Sequence, residues 1–404
     1  MQSYQSILSE ICNLKNLGIR QNLDHVCTAL EKLGNPHLGY PAIHVAGTNG
    51  KGSTCAMISS ILQNSGFKVG WTLSPHLVDF RERIQINNEF IPKPDVVRYH
   101  KLIKQKLGLG FLTYFEWVTI MAFLHFKEQK VDVAVLETGM GGRWDTTNVC
   151  QPLVGVITNV SYDHEAILGD TLEKILGEKM QIVKKGMDVW TGIKESHLLA
   201  QLKTHCEQVR AFFHQADLGV RAIHELPLQG RHQIQNAALA MGVCQSLRQR
   251  GWVISDENIK TGMKATVWPG RLEIISEKPY ILLDCAHNPA GVQVLADFLK
   301  TQSRKYKLIF TTLSDRPFKS MLKALLPSIT EVHIPFLKEN RAWSSDDLRQ
   351  KIEAMALDIP VFFMDLNRPS WENFKSRLKL DDSVLVTGSI YLVSEIRQML
   401  KEYS

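Results

Sequence analysis

The sequence lacks the features that mark several large classes of protein. Its seven cysteines are odd in number, scattered, and never in Cys-x-x-Cys spacing, which argues against a disulfide framework or a thiolate metal site and favours a reducing compartment. No stretch of about twenty apolar residues could span a bilayer. The N-terminus carries no basic patch followed by an apolar run, so we expect no secretory signal and a cytoplasmic protein.

Runs of lysine and arginine are also missing. The formal net charge is +6 over 404 residues; without basic clusters it does not indicate a nucleic-acid binder, and anionic small substrates explain it as well as chance does. Hydrophobic residues make up 44% and charged residues 22% of the chain, which is the mixture of a well-packed globular protein. The length is sufficient for two ordinary domains.

Short apolar strands alternate with helical stretches along the chain, which predicts an α/β fold with mostly parallel sheets. Residues 83–91 alternate around Asn87-Asn88 and predict a hairpin, and Pro269-Gly270 interrupts the pattern, so we expect domains at 1–269 and 270–404. The predicted strands are residues 43–46, 69–73, 131–137, 154–159, 188–191, 280–284, 307–311, 331–335 and 384–387. The predicted helices include residues 53–64, 115–126, 172–183 and 232–250.

The strongest functional signal is a glycine-rich run between a predicted strand and a predicted helix. The run consists of Gly47, Thr48, Asn49, Gly50, Lys51, Gly52, Ser53 and Thr54. At such a turn, backbone N–H groups and a helix N-terminus converge on an anion, and glycines let the backbone approach phosphate oxygens. Lys51 can reach the outer phosphates, and Ser53 or Thr54 the metal. The alternative, an ordinary turn with a surface lysine, is disfavoured by three glycines, a lysine and two hydroxyls together.

Polar residues follow other predicted strands, where the ligands of open α/β sheets collect. Ser74 follows the second strand, Glu137 ends the third, and His164 follows the fourth. Beside a bound triphosphate, such side chains could hold Mg²⁺, which prefers oxygen ligands. Singly, Ser74 could be a turn former, Glu137 a salt-bridged strand end, and His164 a loop histidine.

Eight blocks of sequence carry a family resemblance. They read HVAGTNGKGST, SPHLVDFRERIQIN, LTYFEW, LETGMGGRWDTTN, YDHEAILGDTLEKILGEK, GRHQIQNA, WPGRLE and DCAHNPAG. Together they resemble folylpolyglutamate synthase and dihydrofolate synthase, in the Mur ligase superfamily. The resemblance implies a P-loop-type ATPase domain and a smaller C-terminal Rossmann-like domain, with ATP and folate in the cleft between them. It also implies that Mg·ATP phosphorylates a carboxylate and that the amino group of L-glutamate attacks the acyl phosphate.

The resemblance further implies roles for individual residues. The catalytic residues would be Lys51, His164 and Lys179, and the metal ligands Ser74, Glu137 and His164. The nucleotide contacts outside the loop would be Asn236, Arg271 and Asp284, and the glutamate contacts His287 and Ser389. Two Mg²⁺ ions are implied, and K⁺ is compatible with the resemblance.

Lys179 would be carbamylated, which turns a cation into an anion that helps hold the second magnesium. The alternative is an unmodified lysine on a solvated helix face, paired with Glu178 or Glu173. The alternatives for the nucleotide contacts are a helix-face amide at Asn236, a linker residue at Arg271, and an aspartate at Asp284 that caps the following helix.

Two acceptors share this scaffold, namely dihydropteroate and reduced folates. Thr113 and Phe115 match a block that contacts the pterin in bifunctional members, and Phe115 offers a stacking face. Asp145 can bind an aminopyrimidinone edge through two hydrogen bonds. These residues favour a bifunctional enzyme over one that only extends glutamate tails, and the family implies a monomer.

Two other functions compete with this one. A cell-wall Mur ligase would carry a UDP-binding domain of about a hundred residues before the phosphate loop. Here the loop begins at Gly47, which leaves no room for such a domain, so we do not expect this function. A non-catalytic nucleotide-binding module would be favoured by loss of Glu137, His164 or Lys179, and all three are present.

Overall fold

The structure is a computed structural model that describes residues 3–216 and 226–401. Its internal contacts divide the chain into two units. The first consists of Met1–Pro227 and Gln233–Val267, and the second of Leu228–His232 and Trp268–Ser404. Within the described residues, no helix is both long and apolar enough to cross a membrane.

The first unit contains an eight-stranded sheet in its described residues. The strands are β1 (Ala42–Ala46), β2 (Val69–Thr72), β3 (Ile84–Ile86), β4 (Glu89–Phe90), β5 (Val133–Glu137), β6 (Pro152–Ile157), β7 (Asp188–Thr191) and β8 (Phe212–Gln215). They lie in the order β4-β3-β2-β5-β1-β6-β7-β8. The pairs β2–β3 and β3–β4 are antiparallel, and the central strands are parallel. Every residue of β1 and β5 is buried, as expected for strands covered on both faces.

The helices of the first unit lie between these strands. They are α1 (Tyr4–Asn13), α2 (Asp24–Lys32), α3 (Lys51–Asn64), α4 (Lys93–Leu107), α5 (Tyr114–Glu128), α6 (Glu165–Leu168), α7 (Leu172–Lys179), α8 (Ser196–Val209), α9 (His232–Gln249) and α10 (Asp256–Lys264). Short 3₁₀ turns cover Leu14–Leu17, Pro36–Leu38, Phe80–Arg83, Thr146–Val149 and Met180–Ile182. Trp117, Phe123 and Phe126 of α5 are fully buried in the core.

The second unit contains a six-stranded sheet in its described residues, in the order β13-β12-β11-β14-β10-β9. Its strands are β9 (Glu273–Glu277), β10 (Tyr280–Leu283), β11 (Tyr306–Phe310), β12 (Ile329–Phe336), β13 (Val361–Asp365) and β14 (Ser383–Thr387). Its helices are α11 (Pro289–Lys300), α12 (Phe318–Leu325), α13 (Ser345–Glu353), α14 (Arg368–Lys375) and α15 (Ile390–Lys401), with a 3₁₀ turn at Leu326–Ser328.

Most predicted elements are confirmed, and the differences have local causes. The hairpin β3–β4 forms as predicted, because Asn87 and Asn88 adopt positive φ values of 50° and 64°, which a two-residue hairpin turn requires. The helix predicted over residues 172–183 ends at Lys179 and continues as a 3₁₀ turn. The edge strands β8, β9 and β13 were not predicted; several of their residues are partly exposed, so they lack the continuous apolar run of the central strands.

The sheet of the first unit gathers four loops at one edge. β1 pairs in parallel with β5 and β6, and β5 with β2. Their carboxyl ends therefore lie side by side, which is where open α/β sheets bind ligands. The register places Glu137, the last residue of β5, opposite Val45 of β1.

Candidate active site

The glycine-rich loop connects β1 to α3 in the conformation that its glycines allow. Gly47 and Gly50 have φ values of +150° and +81°, which side chains other than glycine rarely adopt. A Cβ at Gly47 would collide with the hydroxyl of Thr158, and one at Gly50 would lie 2.5 Å from Asn236 Oδ1. Gly50 immediately precedes α3, so the loop ends on free N–H groups at a helix N-terminus.

The segment after β6 fixes the loop through paired hydrogen bonds. The amide of Thr48 donates to the Asn159 carbonyl at 3.0 Å, and the Thr48 hydroxyl donates to the Ser161 carbonyl at 3.1 Å. The Asn49 amide donates to Asn159 Oδ1 at 3.0 Å, and Asn159 Nδ2 donates to the Asn49 carbonyl at 2.9 Å. Sequence reasoning placed Asn159 at a strand end but gave it no role.

Two lysines converge on the carbonyl oxygen of Gly47. Lys51 Nζ donates to it at 3.2 Å and also to the Thr48 carbonyl at 3.3 Å, and Lys179 Nζ donates to it at 3.1 Å. Lys179 is only 3% exposed, so it does not lie on a solvated helix face. Burial, and then the nearby charge of Lys51, lower the pKa of Lys179 from 10.5 to about 7, which leaves much of the amine neutral and nucleophilic near neutrality.

The carboxylates beside Lys179 have other partners. Glu178 pairs with Arg143, with Oε1 3.0 Å from Arg143 Nε, and Glu173 pairs with His197 at 3.1 Å. The alternative interpretation of Lys179, as a surface lysine paired with one of these glutamates, is therefore wrong.

The three residues suggested as metal ligands lie at the edge where the strands end. Glu137 is buried, and its Oε2 accepts a hydrogen bond from the amide of Ser74 at 3.4 Å. His164 has a positive φ of 53°, and its Nε2 lies 3.7 Å from Asp163 Oδ1. Among the described residues, no group of three or more His, Cys, Asp or Glu side chains is arranged to hold a metal. Hydroxyl and carboxylate oxygens at Ser74 and Glu137 do fit Mg²⁺, which usually takes few protein ligands and shares phosphate oxygens.

The loop after β5 is organised by Asp145. One carboxylate oxygen accepts from the amides of Gly139 and Met140 at 2.7 and 3.0 Å, and the other from the amide and hydroxyl of Thr147 at 3.0 and 2.5 Å. Burial raises the pKa of Asp145, and these hydrogen bonds oppose the rise. Because four donors fill the acceptor sites of the carboxylate, Asp145 shapes this loop here, and its contact with a pterin stays a prediction.

Phe115 and Thr113 lie at the start of α5, beside the same loop. The Phe115 ring lies so close to Gly139 that a Cβ there would be 2.7 Å from Phe115 Cζ. Thr113 and Glu116 form a capping box, in which Glu116 Oε2 accepts from the Thr113 amide at 2.7 Å. Glu116 Oε2 also accepts a hydrogen bond from Arg20 Nη1 at 3.4 Å. The Thr-x-x-Glu spacing is a capping signature, so Thr113 has a structural role that its assignment to the pterin alone did not foresee.

Asn236 and Gln233 bring α9 to the phosphate loop. Asn236 lies against Gly50, and its Nδ2 donates to Gln233 Oε1 at 2.8 Å. Gln233 Nε2 in turn reaches Ser53 Oγ at 3.5 Å. Gln233 is a residue that sequence reasoning missed, although its position three residues before Asn236 puts both on one helix face.

The second unit holds the remaining candidates at the carboxyl ends of its strands. His287 follows β10 and its Nδ1 is 2.9 Å from the Cys285 carbonyl. Ser389 follows the neighbouring parallel strand β14 and is buried. The alternative interpretation of Asp284, as the cap of α11, is wrong, because Asn288 caps this helix by accepting from the Gly291 amide at 2.8 Å. Asp284 instead binds the amides of Leu272 and Ala286 at 3.0 and 2.9 Å.

The chain is similar to known proteins in both of its units. Residues 45–189 match the Mur ligase middle domain, and residues 270–390 match the Mur ligase glutamate ligase domain. The chain is 34% identical to the dihydrofolate synthase/folylpolyglutamate synthase of Bacillus subtilis over 99% of both sequences. The chain belongs to the dihydrofolate synthase/folylpolyglutamate synthase family of Mur ligases.

Solved structures of this family share the fold along the whole chain. E. coli FolC in complex with DHPP and ADP has a TM-score of 0.86 at 28% identity, with 100% of both chains covered. Mycobacterium tuberculosis folylpolyglutamate synthase, complexed with ADP and AMPPCP, has a TM-score of 0.87 at 28% identity, with 98% of this chain and 99% of that chain covered. The predicted family and the two-sheet α/β fold are therefore confirmed.

Proposed function

We propose that this chain is an ATP-dependent ligase that joins L-glutamate to folate-type carboxylates, both as a dihydrofolate synthase and as a folylpolyglutamate synthase. The observation that carries the proposal is the phosphate loop, which is hydrogen-bonded to Asn159, packs against Asn236 and receives Lys179 at the Gly47 carbonyl, at the edge of the sheet where Glu137 ends β5. Its supporting comparison is the Bacillus subtilis relative, which is named for both activities.

The reaction proceeds by two displacements. A carboxylate oxygen of the acceptor attacks the γ-phosphorus of ATP, and the bond to ADP breaks. The neutral amine of glutamate then attacks the acyl carbon, the C–N bond forms, and phosphate leaves with the oxygen it took from the carboxylate while the nitrogen loses a proton. Positioning and neutralisation of charge supply most of the acceleration in such phosphoryl transfers. Lys51 and the N-terminus of α3 supply positive potential at the phosphates.

Mg²⁺ would be held by oxygen atoms of Ser74 and Glu137, with His164 as the third candidate. When bound, the ion would neutralise negative charge on the phosphates. Glu137 is suited to this task because it is buried and already tied to the Ser74 amide, so it is oriented before the ion arrives.

Lys179 is the residue we propose to be carbamylated. Carbon dioxide reacts with a neutral amine, forming an N–C bond and releasing a proton. A lysine with a pKa of about 7 offers about half of its amine in the neutral form at neutral pH, against less than about one part in a thousand for an ordinary lysine. The resulting carbamate would face the positive charge of Lys51, which stabilises it.

The acceptor would lie against the loop after β5. Phe115 packs on Gly139 of this loop, two residues after Glu137, so its ring can stack on a pterin while the carboxylate end of the substrate reaches the phosphates. Thr113 and Asp145 hold the two sides of this region in place. In the second unit, His287 and Ser389 are the proposed contacts of glutamate.

The proposed function is tested by glutamate incorporation. The purified protein is incubated with Mg·ATP, labelled L-glutamate, and either 7,8-dihydropteroate or tetrahydrofolate. The masses of the products are then measured by mass spectrometry. Products one glutamate heavier from both acceptors, with one ADP per amide, are expected. Turnover of tetrahydrofolate alone would restrict the enzyme to folylpolyglutamate synthesis, the activity for which the Lacticaseibacillus casei relative, 32% identical, is named. Turnover of neither acceptor would overturn the proposal.

Single variants distinguish a loss of activity at the site from a loss of the fold. Lys51→Ala and Glu137→Ala should each abolish incorporation while circular dichroism and the melting temperature show an intact fold. Glu128→Ala is the matched control, because it removes an exposed carboxylate at the end of α5; it should remain active. Substantial activity in either site variant would contradict the assignment.

A further inference from the structure

The turn that opens the second unit is clamped on both sides of Arg271. The amide of Gly270, immediately before it, donates to Glu273 Oε2 at 2.7 Å, and the amide of Leu272, immediately after it, donates to Asp284 Oδ2 at 3.0 Å. The Gly270 carbonyl accepts from the Cys285 amide at 2.8 Å. Two carboxylates therefore hold the backbone on either side of one arginine.

The backbone of this turn adopts two positive φ values. Gly270 has a φ of +72°, and Leu272, which is not a glycine, has a φ of +46°. A leucine in this region is strained, and such strain persists only where the surroundings over-determine it. The Leu272 side chain is buried in the core of the second unit, and its amide is held by Asp284, so both ends of the strained residue are fixed.

Glu273 is itself held in place by a residue from the last described helix. Arg397 on α15 donates through Nε to Glu273 Oε1 and Oε2 at 3.2 and 3.1 Å, and through Nη2 to Oε1 at 2.9 Å. The two side chains are only 11% and 20% exposed. A forked arginine–carboxylate contact that is shielded from water fixes geometry more firmly than an exposed ion pair does.

We propose that Glu273 and Arg397 are positioning residues for Arg271, and thereby set the affinity of the enzyme for nucleotide. Arg397 orients the Glu273 carboxylate, the carboxylate holds the Gly270 amide, and the held turn presents Arg271. The inference rests on the proposed function together with the expectation, implied by the family resemblance, that Arg271 contacts the nucleotide. Neither Glu273 nor Arg397 is among the nucleotide, metal or substrate contacts that the family resemblance implies. Arg397 lies 124 positions beyond Glu273 in the sequence.

Single variants test the positioning role. Arg397→Met removes the fork and Glu273→Ala removes the acceptor of the Gly270 amide. Each should raise the KM for ATP by about tenfold or more, because small displacements of a binding group have large effects, while the KM for the folate substrate changes by less than about twofold. Glu331→Gln is the matched control: it breaks the Lys307–Glu331 pair of the same unit, whose side chains are 24% and 23% exposed, and should leave the KM for ATP unchanged.

A charge-exchanged double variant distinguishes positioning from stability. Glu273→Arg combined with Arg397→Glu can restore an ion pair, but it leaves no carboxylate on the Gly270 amide. The melting temperature should recover while the KM for ATP stays high. Recovery of both, or a KM in the single variants no higher than in Glu331→Gln, would overturn the inference.

Two further measurements test the inference if a variant does not fold or if the wild type is inactive. If Arg397→Met does not fold, Arg397→Lys keeps the charge but loses the fork, and the same rise in the KM for ATP is expected. If the wild-type protein ligates no glutamate, the proposed function fails, and calorimetric titration with ADP then tests the inference directly. Weaker ADP binding in the variants than in Glu331→Gln supports it, and equal binding contradicts it.

Discussion

Replacing Lys179 by methionine should stabilise the fold while abolishing ligation. Burial and the charge of Lys51 lower the pKa of Lys179 from 10.5 to about 7, and holding this amine in the folded protein at pH 7 therefore costs about 5 kcal/mol. Methionine keeps most of the volume without the charge. It forfeits the hydrogen bond to the Gly47 carbonyl, a loss of about 1 kcal/mol. We expect a net gain of about 3–4 kcal/mol in the free energy of unfolding.

The gain should depend on pH in a defined direction. Between the folded pKa of about 7 and the unfolded value of 10.5, the unfolded chain binds the proton more readily, so the wild type loses stability as the pH falls through this window. Below the folded pKa the loss is complete and constant. The advantage of Lys179→Met should therefore be small at about pH 10 and full at about pH 7.

Urea unfolding in buffers freed of carbon dioxide measures both effects. Lys174→Met is the control, because it makes the same substitution on the same helix at a side chain that is 61% exposed; it should change stability little at either pH. A Lys179→Met protein no more stable than the wild type, or a gain that is the same at both pH values, would refute the reasoning.

Three further substitutions have defined outcomes. Gly50→Ala should abolish ATP binding in a calorimetric titration, because its Cβ would lie 2.5 Å from Asn236 Oδ1; Gly66→Ala, with a similar φ of +89° and no atom within 4 Å, should cost only about 1 kcal/mol in stability and bind ATP normally. Phe115→Ala should raise the KM for dihydropteroate by about tenfold and leave that for ATP unchanged, because it removes the ring proposed to stack on the pterin and alters no residue of the phosphate loop. Asp145→Asn should lower the free energy of unfolding in urea by about 2–4 kcal/mol, because an amide supplies one acceptor oxygen where two are used.

The phosphate loop could be predicted from sequence because its determinants are local. Glycines at the turn, a lysine and hydroxyls at the start of a helix lie within eight positions. The partners that hold the loop could not be predicted in the same way: Asn159 is 110 positions from Asn49, and only the parallel pairing of β1 with β6 brings them together. Register between strands is a property of the whole sheet.

Side-chain roles at the site were harder to predict than positions. Thr113 and Asp145 lie near the expected substrate region, but the structure shows their polar atoms engaged in a helix cap and a loop. Capping α11 was the alternative role for Asp284, and Asn288 caps this helix instead, because the capping geometry depends on where the helix begins. The Glu273–Arg397 contact joins the first strand and the last described helix of the second unit. No local sequence pattern predicts this pairing.

The most direct test of the proposed reaction follows an oxygen atom. Dihydropteroate labelled with ¹⁸O in its carboxylate is turned over with Mg·ATP and glutamate, and the inorganic phosphate is analysed by mass spectrometry. Transfer through an acyl phosphate predicts one labelled oxygen in each phosphate, together with ADP. Unlabelled phosphate, or release of AMP and pyrophosphate, would contradict the assignment of this site to acyl-phosphate chemistry.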